Sequence, residues 1–354
     1  MSNTSIPTKT RSWVLTNKPS GLPTISGDTP TFTLQPRDLP PLNNDQVLVK
    51  ALYYSNDPAQ RGWISPDIPA GRLYVPPVQV GDAMRTRGLC EVIDSKSPNL
   101  PKGTIVQCSP NWNEYAVLDS HTVTPVQPLP NGLSITHYLG ALGGTGLTAY
   151  YGLVVICEAK RGDKVVVSGA AGATGSMVVQ IAKHIVGAGN VIGIAGTDDK
   201  CRWVESLGAD KCLNYKSPSF ASDLEKATQD GVDIFFDNVG GEILDMMLGR
   251  MSMYGRVAAC GAITSYNSSE PLVLKNYFQV ITMRLQIKGF IVIDYLSKAA
   301  ETQKIFRQAI QEGKLKVGDE METVVSTKFD DVPKTWLKLF SGENTGKLVT
   351  KLEG

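Results

Sequence analysis

One short stretch constrains the fold of this chain more than any other. Val165-Val166-Val167-Ser168 is an apolar run of the kind that makes a buried strand. Glycines follow at 169, 172 and 175, and Met177 to Lys183 then has helical spacing. The order is strand, glycine turn, helix. The spacing Gly169-x-x-Gly172-x-x-Gly175 is a variant of the dinucleotide-binding fingerprint. Glycine at 172 lets a pyrophosphate approach the backbone, and glycine at 175 lets the helix pack closely on the strand. The helix start, with Ala173 and Thr174, offers N–H groups and a partial positive charge to phosphates. The competing reading is a tight turn in an α/β protein that binds nothing.

The surroundings favour the first reading. Past Asn131 the chain alternates between strand and helix patterns. Leu133 to Tyr151 reads as a helix broken at Gly143, Gly144 and Gly146. Strands are predicted at Lys164–Ser168, Val191–Ala195, Val232–Asp237, Arg256–Cys260 and Leu285–Ile293. Helices are expected up to Leu207, over Glu242–Arg250 and over Lys298–Glu312. Strands separated by such helices are βαβ units of a parallel sheet.

The first ~130 residues differ. They are rich in Pro and Gly, with strand-like runs at Val47–Tyr53, Gly88–Ile93 and Thr104–Cys108. Strand character returns at Glu322–Lys328 and Lys347–Thr350. The C-terminus is therefore expected to complete the N-terminal domain. Residues 1–130 and 315–354 would form a mostly β domain and residues 131–314 an inserted α/β domain. A length of 354 residues suits two domains.

Composition excludes several classes. With 42% hydrophobic residues and a net charge of +1, the chain can build a core and has no electrostatic drive toward nucleic acid or anionic membranes. No apolar run approaches the ~20 residues of a membrane span. Met1 to Ser12 shows no apolar signal segment, so a cytoplasmic location is expected. Six cysteines, at 90, 108, 157, 201, 212 and 260, form no C-x-x-C pair and read as buried thiols. The three histidines sit in unrelated contexts, so no metal site is expected.

The end of the next strand selects the cofactor. Enzymes using NAD place an acidic residue ~20 residues past the fingerprint, on the ribose 2′-OH. Here Gly196 ends the strand and leaves room for a 2′-phosphate, while Thr197 or Asp198 can cap the following helix. Lys200 then stands in the first helical turn, within reach of that phosphate. NADPH is the favoured cofactor. In the other reading Lys200 is a solvated charge and Asp198 accepts from the ribose.

Seven ordered segments carry a family resemblance. They are Asn56-Asp57-Pro58, Gly143 to Tyr150, Ala170 to Ser176, Ala195 to Lys200, Asn214-Tyr215-Lys216, Asp237 to Gly241 and Gly342 to Lys347. Over nearly its whole length the chain resembles the medium-chain dehydrogenase/reductase superfamily. Within it, the chain is most similar to the zinc-free leukotriene B4 12-hydroxydehydrogenase / prostaglandin reductase / alkenal double-bond reductase group. The resemblance implies a GroES-like β domain holding the substrate entrance and a doubly wound Rossmann domain holding NADPH. It implies that Lys200 and Tyr215 contact the 2′-phosphate, that Asn238 lies near the middle of the cofactor, and that Asn344 lies near the nicotinamide carboxamide. Thr148 joins the cofactor set by the same route. Tyr266 matches the family tyrosine proposed as proton donor or carbonyl orienter. Asn56, Trp63, Phe290 and Tyr266 are the expected substrate residues.

Departures matter too. The tyrosine and methionine usual after Asp-Pro are replaced by Ala59-Gln60-Arg61, so a prostaglandin or leukotriene preference does not carry over. The cysteine, Gly-His-Glu motif and four-cysteine lobe of zinc-dependent relatives are missing. The expected reaction is NADPH-dependent reduction of the carbon–carbon double bond of an α,β-unsaturated aldehyde or ketone. Alternatives are a quinone reductase, a ketone or alcohol dehydrogenase, and a non-enzymatic NADPH-binding scaffold. Relatives are often homodimers joined through the Rossmann sheet, and a homodimer is an open expectation here.

Overall fold

The computed structural model describes residues 6–129, 132–268 and 270–353. They divide into two compact units. The first comprises residues 1–139, 323–343 and 348–354, and the second residues 140–322 and 344–347. The borders differ from those drawn on the sequence. Leu139 clusters with Leu89 and Val349, which draws the residues after 130 into the first unit. The Gln180 side chain bonds Lys316 through both its amide groups, which keeps the residues after 314 in the second.

The first unit is mostly β. Strands β1 (Lys9–Leu15) and β2 (Phe32–Asp38) pair antiparallel. The long β3 (Gln46–Ser55) leads into the short helix α1 (Gln60–Trp63). Then come β4 (Gly88–Ser95), β5 (Ile105–Cys108), β6 (Tyr115–Asp119) and β7 (Thr124–Pro125). β3 pairs antiparallel with both β4 and β6. Its buried Val47, Val49 and Ala51 lie on one face, as the period of two requires.

The second unit begins with α2 (Gly144–Tyr150), followed by β8 (Lys164–Val167), α3 (Ala173–Gln180), β9 (Asn190–Ala195) and α4 (Asp198–Ser206). It continues with β10 (Lys211–Asn214), α5 (Phe220–Ala227), β11 (Val232–Asp237), α6 (Gly241–Leu248) and β12 (Met251–Ala259). Helix α7 (Phe278–Thr282), β13 (Gln286–Gly289) and α8 (Ala299–Gln311) complete it. Among the described residues the six strands form one sheet in the order β10-β9-β8-β11-β12-β13, all parallel. The chain winds outward from β8 in one direction and then from β11 in the other. The crevice at the β8/β11 strand ends is where such sheets bind ligands. Val165, Val166 and Val167 are fully buried, as a strand covered on both faces must be.

The chain then returns to the first unit. Strand β14 (Glu322–Thr327) precedes helix α9 (Val332–Ser341) and β15 (Lys347–Leu352), which pairs with β3. Helix α9 was not expected, although its signals are present. Pro333 lies in its first turn, Gly342 ends it at φ +68°, and Val332, Trp336 and Leu339 share its buried face. Trp336 packs edge-on against Trp112, with ring centroids 5.8 Å apart, and both touch Phe32.

Two other expectations are corrected. The expected helix over Leu133–Tyr151 is interrupted as the glycines predict, a 3-10 turn over Ile135–Tyr138 giving way to α2 after Gly143, but Gly146 does not break it: α2 runs through that residue and continues as a π-turn over Tyr151–Ile156. A Cβ at Gly146 would lie 1.8 Å from the Ala141 carbonyl oxygen, so this glycine permits close packing rather than ending the helix. Strand β13 stops at Gly289 instead of Ile293. Its partner β12 ends at Ala259, opposite Gly289, and leaves nothing further to pair with.

Candidate active site

The site is built on the strand ends of the α/β unit. Gly169 leaves β8 in the left-handed region, at φ +58°. The turn closes with the Gly172 N–H donating to the Gly169 carbonyl at 2.9 Å. Helix α3 starts immediately, and its first intrahelical bond runs from the Ser176 N–H to the Gly172 carbonyl. The N–H groups of Ala173, Thr174 and Gly175 precede that bond and are left over by the helix ladder, which suits them to an anion. The glycines differ in kind. A Cβ on Gly175 would sit 2.3 Å from the Gly169 oxygen and 2.8 Å from the Ala170 Cα. A Cβ on Gly172 would meet only the Gly169 oxygen, at 3.3 Å. Gly175 is required by the protein's own packing, while Gly172 keeps an approach to the backbone open.

A distant segment completes this loop. Gly346 pairs with Gly172 in a parallel bridge, and its N–H donates to the Ala171 carbonyl at 2.8 Å. Its φ is +65°, and a Cβ there would collide with the Met321 carbonyl at 2.0 Å. Asn344 is thereby brought to the edge of the glycine loop. Its side-chain amide donates to the Gly346 carbonyl at 2.9 Å, which holds the turn.

On the β9/β10 side, the Thr197 hydroxyl caps α4 by accepting from the Lys200 N–H at 3.2 Å. Asp198 accepts from the Asn214 amide at 2.8 Å, and Asp199 pairs with Arg202. Each of these carboxylates thus has one partner within the protein. The Tyr215 ring lies over Gly196, where a Cβ would be 3.1 Å from the ring edge. The Lys216 ammonium stands 5.8 Å from the centre of that ring. Lys200 is half-buried. Burial, and then the Lys216 charge, lower its pKa from the ordinary lysine value. Lys216 stands beside the Tyr215 ring, which covers Gly196, and its charge reaches Lys200, an arrangement that suits a phosphate.

On the β11/β12 side, Asn238 follows the last residue of β11. Its amide donates to the Ser168 carbonyl at 2.7 Å, and its Cβ stands 3.5 Å from where a Gly169 Cβ would be. The loop after β12 is fastened to the same turn, because the Thr264 hydroxyl donates to the Val239 carbonyl at 2.7 Å. Tyr266 closes that loop. Its oxygen accepts from the Ala262 N–H at 3.4 Å and lies 3.3 Å from where a Gly261 Cβ would be. Asn238 and Tyr266, 28 residues apart in sequence, border one end of the sheet.

The other expected residues fall elsewhere. The Thr148 hydroxyl donates within its own helix to the Gly144 carbonyl at 2.7 Å. The Phe290 ring is packed edge-on to Phe236, with centroids 6.2 Å apart, and over Gly152. In the β unit, Asn56 is buried and donates to the Thr350 hydroxyl at 2.9 Å. The Trp63 N–H donates to the Tyr74 hydroxyl at 3.1 Å, and the Arg85 guanidinium stands 5.5 Å from its ring.

Sequence reasoning missed two residues. Lys216 adjoins Tyr215 after a strand, a signal that was present but unused. Asp237 opens another of the segments that carry the resemblance, but a carboxylate ending a strand is indistinguishable by pattern from a turn residue. The cysteines are free thiols, and burial raises the pKa of Cys157 and Cys260 to about 12. Among the described residues no group of His, Cys, Asp or Glu is placed to hold a metal ion.

This geometry agrees with what the chain is similar to. Residues 11–126 match a family described as the N-terminal domain of oxidoreductase, and residues 173–313 match one described as zinc-binding dehydrogenase. The metal in the second description does not fit the donor set found here. The chain belongs to the medium-chain dehydrogenase/reductase superfamily. It is 37% identical to prostaglandin reductase 1 of Mus musculus over 96% of this chain and 98% of that protein. It is 33% identical to the NADPH-dependent curcumin reductase of Escherichia coli, with 98% of both chains covered. The crystal structure of CurA from Vibrio vulnificus in complex with NADPH superposes with a TM-score of 0.86, at 31% identity over 97% of this chain and 99% of that one. Within the superfamily the chain belongs to the zinc-free prostaglandin reductase / alkenal reductase group.

Proposed function

We propose that this protein is an NADPH-dependent reductase of the carbon–carbon double bond of α,β-unsaturated aldehydes or ketones. The observation that carries the reading is the grouping of Lys200, Tyr215 and Lys216 at Gly196, where β9 ends. It fits the 2′-phosphate that distinguishes NADPH from NADH. The α/β unit supplies the cofactor site, with Gly172 and the start of α3 taking the pyrophosphate. The β unit supplies Asn56 and Trp63 to substrate recognition.

NADPH supplies, when bound, the hydride delivered to the β-carbon of the substrate. The protein's task is to hold the reacting carbon and to stabilise the negative charge that gathers on the carbonyl oxygen. Tyr266 is the donor we assign to that oxygen. The Ala262 N–H donates to its phenol oxygen, which polarises the hydroxyl and makes it a better donor. One well-placed donor of this kind contributes about 3–4 kcal/mol. With an ordinary pKa of about 10, tyrosine orients and stabilises better than it protonates.

The protein acts in the cytoplasm as a homodimer in this reading. Among the described residues no helix is long and apolar enough to cross a membrane. Strand β13 is a sheet edge that carries the exposed Ile287, and Phe278 and Ile281 are exposed on the neighbouring α7. A second copy pairing along that edge would cover them. Charge introduced there, as in Ile287→Lys, is expected to yield monomers by sedimentation; an unchanged mass would rule this edge out.

The test of function is loss of NADPH absorbance with enals, enones, quinones and saturated ketones, repeated with NADH. Rapid loss with enals or enones, giving saturated carbonyl products, is expected. Preference for quinones or saturated ketones would overturn the double-bond assignment. Tight NADPH binding without turnover on any acceptor would favour a scaffold role.

A further inference from the structure

Asp237 is the last residue of β11 and is buried. Its carboxylate does not point at solvent or at a cation. Oδ1 accepts from the Ser168 hydroxyl at 2.8 Å and from the N–H groups of Val239 and Gly240, both at 3.0 Å. Oδ2 accepts again from Gly240 at 3.1 Å. The Ser168 oxygen in turn accepts from the Asn238 N–H at 2.9 Å. The three successive N–H groups of the turn 238–240 are therefore all held by this carboxylate, two directly and one through Ser168.

The turn so held touches both working parts of the site. On one side Asn238 and Val239 flank Gly169. On the other, Val239 receives Thr264. The Asp237 main-chain carbonyl also accepts from the N–H groups of Cys260 and Gly261, at 2.9 and 3.1 Å, where the loop carrying Tyr266 begins. A carboxylate is costly to bury, and an apolar residue would fill this place in a sheet more cheaply. Backbone geometry at three N–H groups is what the carboxylate secures.

The direction of the cofactor follows from the topology. Its 2′-phosphate goes to Lys200 and Tyr215, beside β9 and β10, and its pyrophosphate to the glycine loop at β8. The nicotinamide half must then run the other way, over the ends of β11 and β12. We infer that Asp237 is a positioning residue for the nicotinamide half of the cofactor, holding the 238–240 turn and the Tyr266 loop in register with the glycine loop. The inference rests on the NADPH reading above.

The test compares two ligands on the full-length protein. NADPH spans both halves of the site, whereas 2′,5′-ADP fills only the adenosine half. Asp237→Ala is expected to weaken NADPH about 30-fold, the size expected when two buried N–H groups lose their acceptor. Binding of 2′,5′-ADP should stay within about 3-fold, because its contacts lie across β8. Asp237→Asn keeps Oδ1 for Ser168 and both N–H groups and should restore most of the affinity. Ser168→Ala, which removes the hydroxyl linking Asp237 to the Asn238 N–H but leaves the carboxylate on Val239 and Gly240, should show the same selective loss at smaller size and serves if Asp237→Ala does not fold. Equal weakening of both ligands in a folded variant, or no weakening of NADPH, would overturn the positioning role. Failure of the unaltered protein to bind 2′,5′-ADP would instead overturn the NADPH assignment.

Discussion

Replacing Lys200 by alanine should cost this protein much of its preference for NADPH over NADH. The 2′-phosphate carries a charge of about −1.5 to −2 near neutral pH. A unit charge pair ~4 Å apart is worth about 4 kcal/mol at the effective dielectric of ~20 found near protein surfaces. Two discounts apply. Lys200 is only half-buried, so solvent screens the pair, and Lys216 remains to take up part of the attraction. Halving the Coulomb figure leaves roughly 2 kcal/mol, or about 30-fold in dissociation constant. NADH presents a neutral hydroxyl at that position and should lose almost nothing. The Lys200 ammonium is already held at a cost, since burial and Lys216 lower its pKa; the phosphate relieves that cost and the hydroxyl does not. Titration of protein fluorescence with each cofactor, at ~0.1 M and then higher salt, reads both numbers. The NADPH affinity of the variant should also depend less steeply on salt. Equal losses for NADPH and NADH would refute the argument, because they would make Lys200 a structural residue of α4 rather than a phosphate ligand.

Three further outcomes follow from the same geometry. Gly175→Ala places a Cβ 2.3 Å from the Gly169 oxygen and should cost about 1–3 kcal/mol in stability, whereas Gly172→Ala should leave the melting temperature nearly unchanged and still weaken NADPH; equal melting temperatures for the two variants would contradict the division of roles. Tyr266→Phe should lower kcat roughly 100-fold with little change in NADPH affinity, and unchanged turnover would remove the hydroxyl from the chemistry. Burial raises the Asp237 pKa in the folded state, against the lowering effect of its bonds to Gly240, Val239 and Ser168. Its stability contribution is therefore fully present below the unfolded value near ~4 and is lost as pH rises through the folded pKa. Thermal unfolding against pH should accordingly show the unaltered protein losing stability relative to Asp237→Asn over that rise, and parallel curves would refute it.

Periodicity and glycine spacing carried a great deal of this protein. Strands β8, β9 and β11 have apolar centres (Val165–Val167, Val191–Ala195 and Ile234–Phe236) because a parallel sheet covered on both faces demands them, and that demand is local enough to read. The glycine turn and the start of α3 are legible for the same reason, since their geometry is set within eight residues by Gly169, Gly172 and Gly175. Lys200 is legible as well, because helix capping at Thr197 fixes where the third helical residue stands. The family resemblance extended this to Tyr215, Asn238 and Tyr266, whose places no spacing rule supplies.

Tertiary structure decided the rest. Gly146 looks like a helix breaker until the Ala141 carbonyl is seen lying where its Cβ would be. Strand β13 ends early because its partner ends, a fact that resides in β12. Asn344 reaches the glycine loop only because Gly346 pairs with Gly172, 174 residues earlier in the chain. Asp237 acquires its hydroxyl partner only because Ser168, at the end of a different strand, stands beside it. Sequence determines what each segment can become, because backbone sterics and burial act over a few residues. Which segments meet is settled by packing across the fold, and it is there that Asp237, Gly346 and the lysines at 200 and 216 acquire their neighbours.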